Sequence, residues 1–315
     1  MRIFTSSRCL EHEAPLGFPE RPERLSATLD HLRAVGFPVE EVTGHAAAEE
    51  AVSSLHGEAY VGRLRRAVER GDGLFDSADN PIGPGTWPAA WAAVEATLAA
   101  ADWALGGGGR RAFAAVRPPG HHAERDLAMG FCFLNNAALA ADHLLRHGCE
   151  RVAIFDFDVH HGNGTQHLFE ERRDVFYAST HQSPFYPGTG AAGERGRGAG
   201  LGYTLNIPLP AGTGDAGYAR ALEGEVLPAL ARFGPEVLVL SAGFDAWRGD
   251  PLGGMAVTEE GFAGWGRALA ALADQVCGGR VVAVFEGGYD LAVLPRLVAG
   301  HLAALASAEP AGPTD

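Results

Sequence analysis

Short apolar runs rich in valine, alanine and phenylalanine alternate along the chain with longer stretches rich in alanine and leucine. The short runs predict buried strands, because each is bounded by polar or glycine-containing segments. The predicted strands are residues 112–116, 152–157, 175–179, 237–242 and 281–285. The predicted helices are about residues 88–105, 136–147, 216–233, 259–276 and 291–307. This alternation is typical of parallel β-α units, so we predict a three-layer α/β/α fold with a mainly parallel central sheet.

The remaining segments are less regular. The first eighty residues predict an edge strand, a helix beginning near Arg21 and long loops. Glycine-rich residues 106–109 and 193–202 also predict loops. No repeat or linker divides the sequence. We therefore predict a single domain, residues 1–315, with a frayed tail after about residue 307.

Composition and charge narrow the possible functions. Residues 1–22 contain Arg8, Glu11, His12 and Glu13 and no apolar core, and no apolar run in the sequence reaches the roughly 18 residues of a membrane span. We therefore expect a cytoplasmic protein without membrane contact. The four cysteines lack Cys-x-x-Cys spacing, which indicates free thiols. The net charge is −14 and all 25 basic residues are arginine. Such a chain does not hold a nucleic-acid backbone, whereas it attracts cationic substrates.

Polar residues follow each of the five predicted strands. In chain order they are His121 and His122, Asp158 and His160, His181, Asp245, and Glu286 and Tyr289. Ligands of open parallel sheets bind at the carboxyl ends of the strands. The sequence therefore predicts one active site at this edge of the sheet.

The segment Asp156-Phe-Asp158-Val-His160 suggests a metal centre. Alternate residues of a strand share a face, so these three side chains point the same way if the strand continues that far. Asp245 on another strand can supply a further ligand. Two carboxylates and one imidazole with room for water are typical of catalytic zinc, although Fe²⁺ and Co²⁺ accept the same ligands. A second interpretation is that Asp156 lies too deep to bind the metal and that its carboxylate orients an imidazole instead.

Two further groups suit acid–base and oxyanion chemistry. His121 and His122 follow a stiff Pro-Pro-Gly turn, which suits proton transfer. Tyr289 follows Gly287-Gly288 at a strand end, where its phenol can donate to a developing oxyanion.

Together these residues resemble the histone deacetylase family, which has the arginase–deacetylase fold, from Pro19 to about Ala299. The residues of these motifs are similar to those of the class II branch and its bacterial relatives. The motifs are Arg117-Pro-Pro-Gly-His-His-Ala123, Gly130-Phe-Cys-Phe-Leu-Asn-Asn136, Asp156-Phe-Asp-Val-His-His-Gly-Asn-Gly-Thr165, Pro187-Gly-Thr-Gly190, Ser241-Ala-Gly-Phe-Asp-Ala246 and Glu286-Gly-Gly-Tyr289.

The resemblance implies a role for each matching position. The zinc ligands would be Asp158, His160 and Asp245. His121 and His122 would be the tandem histidines, with His122 as general base and acid. The implied partner of His122 is Asn163, and Tyr289 would polarise the acetyl carbonyl.

The resemblance also implies residues for substrate and potassium. Those for substrate and acetate are Gly130, Phe131 and Tyr186 in a narrow tunnel, Asp79 and Leu252 at its rim, Arg24 behind the metal, and Gly288 as a further substrate-binding residue. One potassium ion would contact the side chains of Asp156, Asp158 and Ser179 and the carbonyls of His160 and Thr180. A second cation site would use Phe169, Arg172, Val175 and Tyr203.

Three positions depart from the family pattern. Gly17-Phe-Pro19 lacks the entrance histidine of many relatives, Asn163 replaces an aspartate of class I enzymes, and Tyr186 replaces the commoner phenylalanine. None of these changes removes a metal ligand or Tyr289.

The sequence thus predicts a zinc-dependent deacetylase that acts on an acetyl-lysine type substrate. An acetylpolyamine amidohydrolase is the main alternative, but Leu252 offers no partner for a distant ammonium group. A ureohydrolase would need a two-manganese site rich in carboxylates, and a non-catalytic acyl-binding module would not need an intact set of ligands with Tyr289. The oligomeric state is left open.

Overall fold

The computed structural model describes residues 1–106 and 109–307. In chain order its strands are β1 (Arg2–Thr5), β2 (Val39–Glu41), β3 (Leu74–Phe75), β4 (Ser77–Pro81), β5 (Arg111–Ala114), β6 (Val152–Asp156), β7 (Val175–Gln182), β8 (Thr204–Leu209), β9 (Val237–Ala242) and β10 (Val281–Phe285). Eight of them form one sheet of order β2-β1-β5-β10-β9-β6-β7-β8. Every neighbouring pair in this sheet is parallel. The antiparallel hairpin β3–β4 lies outside it.

Helices cover both faces of the sheet. They are α1 (Glu23–Ala34), α2 (Ala48–Leu55), α3 (Glu58–Arg70), α4 (Thr86–Leu105), α5 (Asn136–Arg146), α6 (Asn163–Phe169), α7 (Asp215–Ala221), α8 (Leu227–Phe233), α9 (Glu259–Cys277) and α10 (Leu294–Ala306). One layer packs α4 against α5, with α2 and α3 outside, and the other packs α1, α9 and α10 together. The predicted α/β/α architecture is therefore confirmed, and the sheet is wholly parallel.

The five predicted strands are β5, β6, β7, β9 and β10, and they are consecutive neighbours in the sheet. Their side chains are buried along almost their whole length, which explains the continuous apolar runs. The bounds of β9 and β10 agree with the prediction, whereas β7 continues to Gln182. The carboxyl ends that carry the polar residues consequently meet in the middle of one edge.

The prediction for the first eighty residues was partly wrong. Helix α1 and the edge strand β2 are present, but α2 and α3 occupy much of the region expected to be long loops. In α3 the buried residues Tyr60, Leu64, Ala67 and Val68 have helical spacing, which is the signal for this helix.

The predicted helix 216–233 contains a π-helical turn, Leu222–Val226, between α7 and α8. Pro228 follows this turn and lacks the N–H that a regular helix would need there. None of the described helices has the length and apolar character needed to cross a bilayer. The predicted frayed tail, residues 308–315, and loop positions 107 and 108 lie outside the described residues.

Candidate active site

Asp158, His160 and Asp245 meet where β6 and β9 end. The two strands are direct neighbours, with Asp156 opposite Ser241. The Nδ1 atom of His160 lies 3.1 Å from Asp158 Oδ1 and 3.2 Å from Asp245 Oδ2. One ligand atom from each of the three residues lies within 4.8 Å of the others. The structure thus brings together the three predicted metal ligands.

The surroundings of these carboxylates fit a bound cation. Asp245 Oδ2 is buried without a hydrogen-bond partner. A Cβ atom at Gly287 would lie 2.1 Å from that oxygen and 2.5 Å from Asp158 Oδ2. The other Asp245 oxygen accepts the Val159 N–H at 2.8 Å, and Asp158 Oδ2 accepts the Gly287 N–H at 2.8 Å. Two fixed carboxylates with an unsatisfied oxygen and one imidazole are a suitable donor set for a divalent transition ion.

The tandem histidines lie beside this group with their ring centroids 4.0 Å apart. His121 Nδ1 lies 3.0 Å from Asp156 Oδ2, so Asp156 contacts an imidazole. This contact agrees with the second interpretation of Asp156, in which its carboxylate orients a histidine. Although burial opposes the charged form, the Asp156 and Asp158 carboxylates raise the pKa of His121 to about 10. Burial and the positive charges of His121 and His160 hold the pKa of His122 well below its usual value. His122 is therefore the neutral member of the pair.

Asn163 determines which nitrogen of His122 carries the hydrogen. Its Nδ2 donates to Glu124 Oε1 at 2.6 Å, which turns its Oδ1 towards His122 Nδ1 at 2.7 Å. Because an amide oxygen only accepts, His122 Nδ1 is the donor and its Nε2 keeps a free lone pair. Neutral His122 can thus accept a proton at Nε2.

Tyr289 lies at the end of β10 and lines the same cavity. Its N–H donates to Asp250 Oδ2 at 2.7 Å, and the guanidinium of Arg24 lies 4.6 Å from its ring centroid. Burial raises the pKa of Tyr289 well above its usual value, so the phenol stays protonated. A protonated phenol at this place can donate to a carbonyl oxygen.

A buried ionic cluster supports the site from behind. Arg24 donates from Nε to the Gly288 carbonyl at 2.6 Å and pairs with Glu20 at 3.0 Å, and Glu20 also pairs with Arg117 at 2.7 Å. Glu286 Oε2 accepts the Gly120 N–H at 2.7 Å and so fixes the turn before the histidines. Arg24 therefore lies behind the cavity, and Gly288, which was predicted to bind substrate, is not among the residues that line it.

A cavity of about 550 Å³ leads to the metal ligands and His122. Its lining is Asp79, His122, Gly130, Phe131, His160, Phe185, Tyr186, Pro251, Leu252, Gly253, Gly254 and Tyr289. It includes the five residues expected along the tunnel and at its rim. Gly130 has φ 58°, and a Cβ there would lie 2.3 Å from His122 Cδ2. Only glycine fits between the tunnel wall and this imidazole.

Asp79 and Tyr186 are joined across the rim. The Tyr186 hydroxyl donates to Asp79 Oδ2 at 2.9 Å, and the Gly130 N–H donates to the same oxygen at 3.0 Å. Ser77 donates to the other Asp79 oxygen. Phe18, which stands where many relatives have histidine, packs edge-on against Phe131 with centroids 5.2 Å apart. The two departures at the entrance thus have packing and hydrogen-bond partners of their own.

Several site residues were not identified from the sequence. They are Glu20, Arg117, Glu124, Phe185, Asp250, Pro251, Gly253 and Gly254 as positioning or lining residues. Arg117 and Glu286 belong to the quoted motifs, and Asp250 lies two residues before Leu252. The sequence therefore pointed to these three residues but did not assign a role to any of them. Glu20 pairs with Arg24 four positions later as well as with the distant Arg117, whereas the contact of Glu124 with Asn163 links distant segments and has no local signal.

The residues assigned to potassium lie beneath this region. Asp156 and Ser179 are opposite each other on β6 and β7. Ser179 Oγ lies 2.9 Å from His181 Nδ1. In the second group, the Phe169 carbonyl accepts the Arg172 N–H at 2.9 Å, and the Tyr203 carbonyl accepts the Tyr177 N–H at 3.0 Å. Val175 begins β7 beside them. Cation binding by either group stays a prediction.

Comparisons with known proteins agree with this geometry. The family model of the histone deacetylase domain matches residues 18–305. A probable deacetylase of Archaeoglobus fulgidus is 43% identical over 302 residues, which cover 94% of this chain and 84% of that protein. A histone deacetylase-like amidohydrolase of Pseudomonas aeruginosa is 39% identical, over 88% of this chain and 73% of that protein.

A solved structure is also similar along nearly its whole length. The acetylpolyamine aminohydrolase of Burkholderia pseudomallei has a TM-score of 0.85 and 34% sequence identity, and the match covers 97% of this chain and 98% of that chain. The predicted resemblance is confirmed by sequence and by structure. The chain belongs to the histone deacetylase family and is a hydrolytic deacetylase.

Proposed function

We propose that the chain is a zinc-dependent deacetylase that hydrolyses the acetyl amide of an acetyl-lysine type substrate to acetate and a free amine. The observation that carries this proposal is the cavity itself. Its wall is largely apolar, and at its inner end it meets His160, His122 and Tyr289. An aliphatic stem fits such a wall, and the amide would then lie beside the groups that can hydrolyse it.

The ligand set supports zinc, and Fe²⁺ or Co²⁺ would be accepted as well. A zinc ion held by Asp158, His160 and Asp245 would supply Lewis acidity, which acidifies water and polarises a carbonyl. The orphaned Asp245 Oδ2 and the glycine at position 287 are the features that favour a bound ion.

The protein groups would carry the protons. Neutral His122 takes a proton at Nε2 from the attacking water, while Asn163 holds the hydrogen on Nδ1. Tyr289 donates to the acetyl oxygen as negative charge develops there. A protonated histidine of the pair then gives a proton to the leaving amine. No covalent intermediate with the protein is needed.

The substrate preference follows from the rim. Asp79 is the one carboxylate in the cavity lining of the described residues, and Tyr186, Gly130 and Ser77 already donate to it. Leu252 offers an apolar contact where a cationic tail would emerge. A second ammonium group therefore finds little charge compensation, which favours acetyl-lysine over an acetylpolyamine.

The acetylpolyamine alternative is supported by two observations. The match to the Burkholderia aminohydrolase covers 98% of that chain, and the net charge of −14 attracts polycations. We further propose structural potassium at Asp156, Asp158 and Ser179 with the carbonyls of His160 and Thr180, supported by the pairing of Asp156 with Ser179. We also propose a cytoplasmic location.

The test is a competition among an acetyl-lysine peptide, acetylputrescine, acetylspermidine and a longer acyl-lysine peptide, compared by kcat/KM. We expect the acetyl-lysine peptide to have the highest value. A strong preference for acetylspermidine would replace the proposed substrate with the polyamine, and no turnover of any amide by zinc-loaded protein would overturn the proposal.

A further inference from the structure

Two imidazoles and a carboxylate meet at a second place, away from the cavity. His45 lies between β2 and α2, Asp102 lies in α4 and His143 lies in α5. His45 Nε2 is 3.0 Å from Asp102 Oδ2, and His143 Nε2 is 2.6 Å from Asp102 Oδ1. None of the three residues lines the cavity. One ligand atom from each of the three residues lies within 4.8 Å of the other two.

This cluster resembles the first metal group in its dimensions. The nitrogen-to-oxygen separations of Asp158, His160 and Asp245 are 3.1 and 3.2 Å, against 2.6 and 3.0 Å in the second cluster. Within residues 1–106 and 109–307, these are the two places where three such ligand atoms come this close. Ligands of a tetrahedral zinc ion lie about 3.0–3.5 Å apart, since each bond is about 2.0–2.1 Å long. The 3.0 Å separation between His45 and Asp102 already lies in this range, and the 2.6 Å separation between His143 and Asp102 has to widen when an ion binds.

Access and rigidity also suit a bound ion. The His143 side chain is 2% exposed and that of His45 is 14% exposed, so the surrounding protein holds both rings. The Asp102 side chain is 52% exposed and opens the cluster to solvent. The three residues are 57 and 41 positions apart along the chain, so only the packing of α4 against α5 and the loop before α2 brings them together.

We propose that His45, Asp102 and His143 bind a divalent transition ion of borderline softness, such as Zn²⁺, Co²⁺ or Ni²⁺, at a site separate from the active site. Two imidazole nitrogens and one carboxylate oxygen are ligands that these ions prefer, and water fills the remaining positions. The bound ion connects the loop before α2 with α4 and α5, so it stabilises this layer of the fold.

Binding requires a rearrangement of hydrogen on both imidazoles, because a carboxylate only accepts and the Nε2 atoms of His45 and His143 therefore both donate to Asp102 in the metal-free cluster. His45 Nδ1 accepts the Ala47 N–H at 3.3 Å, so in the metal-free cluster Nε2 carries the hydrogen and donates to Asp102. To bind metal at Nε2, His45 moves this hydrogen to Nδ1 and loses the long contact with Ala47. The second site is therefore expected to be weaker than the first, whose carboxylate Oδ2 of Asp245 has no hydrogen bond to lose.

The experiment counts metal in untagged protein that has been equilibrated with Zn²⁺ and then passed through gel filtration. We expect two zinc ions per chain in the wild type and one in Asp102→Asn, which keeps the size and one acceptor oxygen of the aspartate. Asp245→Ala should also retain one, and the Asp102→Asn/Asp245→Ala protein none. His31→Ala, which removes a partly exposed histidine outside the cluster, should keep two.

Thermal unfolding gives a second readout. Zn²⁺ should raise the Tm of Asp245→Ala protein but not that of the double variant, because only a site that binds the folded state shifts the transition. If Asp102→Asn does not fold, His45→Gln removes a ligand from the loop instead. One zinc ion in the wild type and none in Asp245→Ala would overturn the second site and leave the first intact. A count that Asp102→Asn and His45→Gln do not change would also overturn it.

Discussion

The phenol of Tyr289 has no charge to offer a ground-state carbonyl, and its contribution should grow only as the acetyl oxygen becomes negative. Tyr289→Phe is therefore expected to lower kcat by on the order of a hundredfold to a thousandfold while changing KM little. Single-turnover rates measure the chemical step. A variant with near-normal rate would mean that another group stabilises the oxyanion.

A substitution at Asn163 tests the role of His122 as general base through the pH dependence of the rate. A carboxylate stabilises an imidazolium more than an amide does, so Asn163→Asp should raise the pKa of His122. The base acts when neutral, so activity falls as pH drops through this pKa. The acidic limb of the kcat/KM profile should consequently move to higher pH in the variant.

Glu124 needs a control in this experiment, because it lies 2.6 Å from Asn163 Nδ2. Asn163→Asp is best compared in a Glu124→Gln background, where the new carboxylate has a donor beside it rather than a second charge. An unmoved acidic limb in both backgrounds would remove Asn163 as the residue that sets the protonation of His122.

Leu252 tests the choice of substrate. Leu252→Glu adds a carboxylate to a rim where Asp79 is already occupied by hydrogen-bond donors. The ratio of kcat/KM for acetylspermidine to that for an acetyl-lysine peptide should therefore rise about five- to tenfold, as expected for about 1 kcal/mol of exposed ion pairing. Leu252→Gln is the matched control without charge and should change the ratio little. Equal ratios in both variants would show that charge at this position does not select the substrate.

Residue identity alone predicted much of the site, since metal ligands, histidines and tyrosine occur in short motifs with characteristic spacing. Pairs formed across long separations were not predictable in this way. Tyr186 and Asp79 are 107 positions apart, and nothing near either residue indicates that the phenol will donate to the carboxylate. The added hydroxyl of Tyr186 has a structural explanation only after the fold is known.

At the scale of elements, the loop around residues 249–254 is held against the turn after β10. Asp250 accepts the N–H groups of Tyr289 and Leu252, at 2.7 and 2.9 Å, so one side chain positions both the phenol and the rim. Asp250→Ala is expected to lower kcat about tenfold to a hundredfold by misplacing Tyr289. Asp250→Asn keeps an acceptor oxygen and should recover part of the rate.

The measurement for Asp250 is the pair kcat and KM, together with metal content. Because Asp250 contacts no metal ligand through the bonds above, metal content should not change in either variant. A loss of metal in Asp250→Asn would assign the residue to the metal site instead.

Strand prediction gave the strands that are buried on both faces, whereas at the margins of the sheet it gave one edge strand without bounds and missed the others. Strand β2 is an exposed edge strand with two glutamates, and β8 at the other edge contains Asn206 and Pro208. Proline is tolerated at an edge because a missing N–H breaks no ladder there. Strand β1 has only four residues. Short or polar strands of this kind depend on the neighbouring strand rather than on their own pattern.

At the scale of the whole molecule, the ends of the four adjacent strands β5, β10, β9 and β6 bring the histidines, the phenol and the metal ligands to one cavity, while helices on both faces bury the sheet. The central claim is that hydrolysis depends on a metal held by Asp158, His160 and Asp245. Tyr289→Phe is the natural control for this claim, because it should lose rate and keep metal.

The most direct measurement is metal content and turnover of an acetyl-lysine peptide in zinc-equilibrated wild type, Asp245→Ala and Tyr289→Phe. We predict that Asp245→Ala binds one zinc ion fewer per chain than the wild type and has lost turnover, whereas Tyr289→Phe keeps its zinc and loses only rate. Asp245→Ala protein with the zinc content and turnover of the wild type would contradict the account.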